Sequence, residues 1–144
     1  MAAFNALAAD ETFVQKAGAG GAYEIAAGHL AQTKGGSDGV KKLGTQLVDD
    51  HTKAADQLKS VAEGKKMTVP SDPDPAHQKV LASLDKLSGA GFDKAFKKQM
   101  VKDHMEDIAL FKKESTAGKD ADLKAYATST LPTLEEHLHM AHSL

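Results

Sequence analysis

Apolar and small side chains recur at steps of three and four along most of this chain, in four long stretches. The first stripe is Phe13, Ala17, Gly20, Ala27 or Gly28, and Ala31; the second is Val40, Leu43, Leu47, His51, Ala54, Leu58 and Val61. The third is Phe92, Phe96, Met100, His104 (or Asp103), Asp107 (or Ile108) and Phe111, and the fourth is Leu123, Ala127, Thr130, Leu134, His137 and Ala141. This is the period of an amphipathic helix with one face turned to a core. It predicts an all-α protein of four long helices.

The punctuation fits that division. Asp10 ahead of Glu11-Thr12-Phe13 reads as the cap of the first helix, and Ser37 or Asp38 as the cap of the second. Gly64 and Gly118 read as stops, and Asp120 as the cap of the fourth helix, in which Pro132 predicts a kink or a break. Residues 65–75 hold three of the four prolines and cannot continue a helix; a shorter helical piece follows over 76–87 before Ser88-Gly-Ala-Gly91 interrupts it. Eleven extended residues reach roughly 35 Å, the length of one long helix. The second and third long helices can therefore run parallel, as in bundles with one long crossover. Residues 1–9 read as a flexible tail, and 10–144 as a single four-helix bundle domain.

Polar residues interrupt the stripes in a patterned way. Residues 47–59 (LVDDHTKAADQLK) and 100–112 (MVKDHMEDIALFK) are the same pattern offset by 53, each placing an Asp-His pair, Asp50-His51 and Asp103-His104, at or beside a core position. Glu24 interrupts the first stripe and His137 the fourth. Counted from the predicted helix starts, these side chains fall 12 to 17 residues in, near mid-height of four different helices. Stranding such groups in a core costs several kcal/mol each, so they must find partners. Four helices that each offer one ligand-type side chain at one level are how bundles build metal sites.

Composition narrows the chemistry. With no Cys, thiolate metal sites, disulfides and thiol catalysis are excluded. All 18 basic residues are Lys, spread without a cluster at a net charge of −2, which argues against nucleic acid as a partner. No run approaches the roughly 20 apolar residues of a membrane span. Imidazoles with carboxylates suit Zn, Fe, Mn, Ni or Cu. The expected metal set is Glu24, His51, His104 and His137, with Asp50 and Asp103 as extra ligands or as groups that orient the imidazoles. The competing expectation is a metal-free polar network of the same residues. Glu136 and His139 have ligand spacing but lie off the stripe, beside His142 in a solvated last turn. His29 and His77 read as surface residues, and Met100, Met105 and Met140 as core. Metal binding through neutral imidazoles is expected to weaken between about pH 7 and 5.

The segments FVQKAGAGGAYEIAAGHLA, LVDDHTKA, MVKDHMEDIALF and LPTLEEHLHMA carry a resemblance. Over residues 11–144 the chain resembles a bacterial family of exported, ferritin-like four-helix proteins of unknown function, often labelled outer membrane proteins. The resemblance implies a helical bundle, a signal peptide ahead of these residues and a periplasmic home. Glu24, Asp50, His51, Asp103, His104 and His137 match its recurring polar residues. The chain departs from ferritins, because the Glu-x-x-His pairs of a di-iron centre are not at inward positions of helices two and four; a single-metal site, or a different pair, is the expectation. The function expected is periplasmic binding, sequestration or storage of a divalent transition metal (Zn, Fe or Cu). Its rivals are an envelope interaction protein with a structural polar core, and an oxidase-like metalloenzyme, for which the sequence supplies no recognisable substrate-binding segment.

Overall fold

The structure, a computed structural model, describes the backbone of residues 2–144 and the side chains from Ala8 onward. Five helices make up the described chain: α1 (Ala2–Lys34), α2 (Asp38–Glu63), α3 (Pro75–Asp85), α4 (Gly89–Ala117) and α5 (Ala121–His142). The four long ones are the predicted helices, and α3 is the short piece within the long connection. Ser37 accepts from the Val40 amide at the start of α2, and Asp120 from the Asp122 and Leu123 amides at the start of α5.

Three boundaries differ from expectation. Asp10 does not begin α1, which is already helical through the Ala-rich residues ahead of it. Its buried carboxylate instead accepts from the Lys119 and Asp120 amides at 3.2 and 3.0 Å, holding the turn between α4 and α5. The expected mobile tail falls mainly on residues 1–7, which lie outside the described side chains. α4 starts three residues before Phe92, at Gly89, whose φ of +59° is in the left-handed region that glycine enters without a side-chain clash. Finally, of the kink or break expected at Pro132, the break is not found: α5 runs through it from Ala121 to His142.

A second carboxylate holds the opposite end. Asp93 of α4 accepts from the Gly36 and Ser37 amides at 2.8 and 2.9 Å, so the starts of α2 and α4 lie together. α2 and α4 therefore run parallel, and α1 and α5 run the other way. Glu24 and Asp107 each follow one of these Asp anchors by fourteen residues, on antiparallel neighbours, which brings both to mid-height. The crossover climbs along α1: Gln15 donates to the Thr68 carbonyl at 3.1 Å, and the His77 ring stacks on Tyr23 with centroids 4.2 Å apart. His77 is thus half-buried rather than a surface residue. Met105, expected in the core, is 57 % exposed, while Met100 is fully buried.

The apolar core comes in two blocks. One holds Tyr23, Leu43, Leu47, Phe92, Phe96 and Met100; the other holds Phe13, Leu58, Phe111, Leu123, Tyr126 and Leu134. Between them lies a polar layer of Glu24, His51, His104 and His137, all buried. The helices come close where glycines face each other: a β-carbon on Gly28 would stand 2.7 Å from the Gly44 carbonyl oxygen. A β-carbon on Gly21 would meet nothing within 4 Å. Gly21→Ala is expected to raise stability by about 0.5–1 kcal/mol through helix propensity, and Gly28→Ala to lower it by about 1–3 kcal/mol through overpacking. Urea denaturation of the two variants checks this, and equal effects would contradict it.

Candidate metal centre

His51 comes from α2, His104 from α4 and His137 from α5. The repeated Asp-His segments lie on parallel helices, so like positions of the two copies both face the axis. One ring nitrogen from each histidine lies within 4.8 Å of the others. A tetrahedral ion with bonds of about 2.0–2.1 Å needs its ligand atoms about 3.4 Å apart. His104 Nε2 and His137 Nδ1, at 3.3 Å, already have that spacing.

The hydrogen bonds assign the protons. His104 Nδ1 lies 2.9 Å from the Met100 carbonyl oxygen, which only accepts, so Nδ1 carries the proton and Nε2 a lone pair. His137 Nε2 lies 2.8 Å from Asp50 Oδ2, so this nitrogen donates and a neutral ring keeps its lone pair on Nδ1. Those two lone pairs face each other across 3.3 Å. Among the described residues, buried His51 Nε2 has no hydrogen-bond partner. A proton between His104 and His137 would relieve the first pair but leave His51 stranded. A cation bound there would satisfy all three, with Met100 and Asp50 orienting two of the rings as outer partners of metal-bound histidines do.

Electrostatics keep these rings neutral. Burial, followed by the proximity of His137 and His104, pushes His51 well below the ordinary histidine range. Burial and His137 push His104 down to about 4. His137 is also lowered by burial, against the pull of Asp50.

The carboxylates divide between two sides. Asp50 stands behind His137, in the orienting role allowed for it. Glu24 is fully buried, with neither oxygen hydrogen-bonded, and its Oε1 is 3.9 Å from His104 Nδ1. It thus lies beside the proton-bearing nitrogen of His104, away from the cluster of lone pairs. Asp103 turns from the histidines: it accepts from the Gln99 amide at 2.9 Å and sits 3.7 Å from His77 Nε2. Asp107 belongs with this second group, and burial with the Asp103 charge raises it to about 7. Burial first, then Asp107 and Asp103, raises Glu24 well above the carboxylate range. The structure therefore unites the three histidines, attaches Asp50 to them, and places Glu24 and Asp103 on the α1–α3 side. His139 and His142 are exposed.

Sequence reasoning offered Asp107 only as an alternative to Ile108 and missed that His77 joins Asp103. The fourteen-residue spacing from the two Asp anchors was the signal for Asp107. His77 had none, because its position depends on the path of the crossover.

Asp107 gives a pH prediction. Its folded pKa lies above the unfolded value, so between about pH 4 and 7 the unfolded chain has lost a proton that the native state keeps, and its contribution falls as pH rises. Asp107→Asn removes that term. Its stability relative to wild type is expected to grow from pH 4.5 to 7.5 in urea denaturation; a constant difference would contradict the assignment.

The sequence model of a family described as a domain of unknown function (DUF4142) matches residues 1–144. No curated protein and no solved structure matches the chain.

Proposed function

We propose that this chain, which belongs to the DUF4142 family over its whole length, binds one divalent transition metal ion on His51, His104 and His137. The observation that carries the reading is the convergence of three buried imidazoles: the hydrogen bonds of His104 and His137 leave their lone pairs facing each other, and His51 Nε2 beside them has no hydrogen-bond partner. Asp50 balances part of the charge from outside the ring of ligands. Glu24, neutral in the metal-free protein and 3.9 Å from the proton-bearing nitrogen of His104, would offset part of the cost of burying a dication by ionising when the ion binds. A site of imidazole nitrogens holds Zn or Cu more tightly than Mn.

The role that follows is binding, sequestration or storage of that ion, in the periplasmic setting that the family resemblance implies. The rival reading as an interaction protein needs an exposed apolar patch. Among the described residues the exposed large hydrophobics are Leu87 and Met105. The test is elemental analysis of chain purified without a histidine tag from its native compartment. One equivalent of a transition metal is expected, lost in a His51→Ala, His104→Ala double variant. Metal-free protein that also fails to take up Zn or Cu afterwards would leave the polar network as the better account.

A further inference from the structure

The two helical hairpins, α1–α2 and α4–α5, repeat each other at an offset of 83 residues. Asp93 accepts from the Gly36 and Ser37 amides, and its counterpart Asp10 accepts from the amides of their counterparts, Lys119 and Asp120. The same offset pairs Glu24 with Asp107, and pairs His104, His137 and His51 with Gly21, Ala54 and Leu134. Those last three residues line a cavity of about 20 Å³ next to the second apolar block of the core. Glycine, alanine and leucine stand there in place of imidazoles, and the space they leave is the cavity. Asp107 lines it, as its counterpart Glu24 stands beside His104.

The cavity wall is partly polar, because His51 lines it together with Asp107, Thr130 and Tyr126. Its volume holds one water, which needs about 10–15 Å³, and a buried water makes about three hydrogen bonds. Three groups of the right kind are present. The Thr130 hydroxyl donates to the Tyr126 carbonyl at 2.7 Å, so its oxygen keeps a lone pair that can accept. The Asp107 carboxyl offers a second acceptor, and the proton-bearing nitrogen of a neutral His51 ring offers a donor. His51 is also the histidine that lacks an outer partner. The Met100 carbonyl serves His104 and the Asp50 carboxylate serves His137. A metal-bound histidine places its second ring nitrogen on such a group, and water is one of the groups that fill the role. Among the described residues no hydrogen bond reaches His51.

We propose that the cavity holds one ordered water that links His51 to Asp107, and that Asp107 is through it a positioning residue of the metal centre. The water accepts from the His51 nitrogen that is not on the ion, and donates to the Asp107 carboxyl and the Thr130 oxygen. Each of the three histidines then has an outer partner: a carbonyl, a carboxylate, and a carboxyl reached through water. The positioning role rests on the metal reading above.

The test joins a crystal structure of the zinc-loaded chain, at a resolution that shows ordered water, to zinc affinities from competition with a chelator. One water is expected in the cavity, within hydrogen-bond distance of His51, Asp107 and Thr130. Asp107→Leu is expected to lower zinc affinity about tenfold or more, as loss of an outer partner does. Asp107→Asn keeps an accepting oxygen and is expected to lose only about threefold, and Thr130→Val, which removes one of the water's acceptors, about the same. A role of Asp107 through its charge alone would make the Asn and Leu variants equal. That equality, a cavity without water in the zinc-loaded crystal, or a water there that does not touch His51 would overturn this inference alone. Should Asp107→Leu not fold, unchanged affinity in Thr130→Val overturns it as well. Failure of the wild-type chain to bind zinc would overturn the metal reading, and the positioning role with it.

Discussion

His51→Ala and His104→Ala are each expected to weaken Zn and Cu binding by at least about 100-fold, because even the outer partners of metal-bound histidines are worth about 10–100-fold. His29→Ala, His139→Ala and His142→Ala should leave the affinity unchanged, since all three side chains are exposed and away from the cluster. Asp50→Asn belongs between these groups: it keeps a hydrogen-bond partner for His137 Nε2 but removes the charge behind it. The pH dependence follows from the same geometry. A metal competes with protons, and burial lowers all three histidines, with His104 near 4. Affinity should therefore hold through the range in which free imidazoles protonate and fall below about pH 5, on the acid side of the window read from the sequence. Calorimetric titration of wild type and these variants checks the set. Binding lost in the His139 or His142 variants, with the His51 and His104 variants intact, would move the site to the end of α5.

Glu24→Leu is expected to stabilise the metal-free protein by about 1–3 kcal/mol. A buried carboxyl without a hydrogen-bond partner carries a desolvation cost of that order, and an apolar side chain of similar size removes it. Glu24 has no exposed surface and no partner for either oxygen. The same substitution should weaken metal binding, because it removes a carboxyl 3.9 Å from a ligand ring that can ionise to balance the charge of the ion. A variant more stable without metal and poorer at holding it would show that Glu24 is retained for the ion. Destabilisation of the metal-free form in urea would show instead that Glu24 has a structural partner, as the polar-network account requires.

The helices and the three histidines were legible because a period of 3.6 residues fixes which side chains share a stripe, and the turns fix which stripes face one another. Level was legible too: His51, His104 and His137 were expected at one height and are found there. What periodicity does not specify is the direction of a polar side chain within that level. Glu24 shares the height of the histidines yet lies on the Nδ1 side of His104. Asp50 and Asp103 occupy equivalent places in the repeated segment, but Asp50 faces His137 on α5 while Asp103 faces Gln99 and His77. The same Asp-His pair acquires different roles from different neighbours. Asp10 misled for a related reason. An acidic residue before a helical stripe looks the same whether it opens the helix or lies inside it, and only the α4–α5 turn shows that its carboxylate is used elsewhere.

X-ray absorption at the zinc edge of the Zn-loaded chain tests the central claim most directly. The account predicts one ion per chain, with three imidazole nitrogens at about 2.0–2.1 Å and the outer-ring scattering that imidazoles give, lost in the His51→Ala, His104→Ala double variant. A six-coordinate shell of oxygen atoms without imidazole scattering, or an imidazole signal that survives in the double variant, would contradict it.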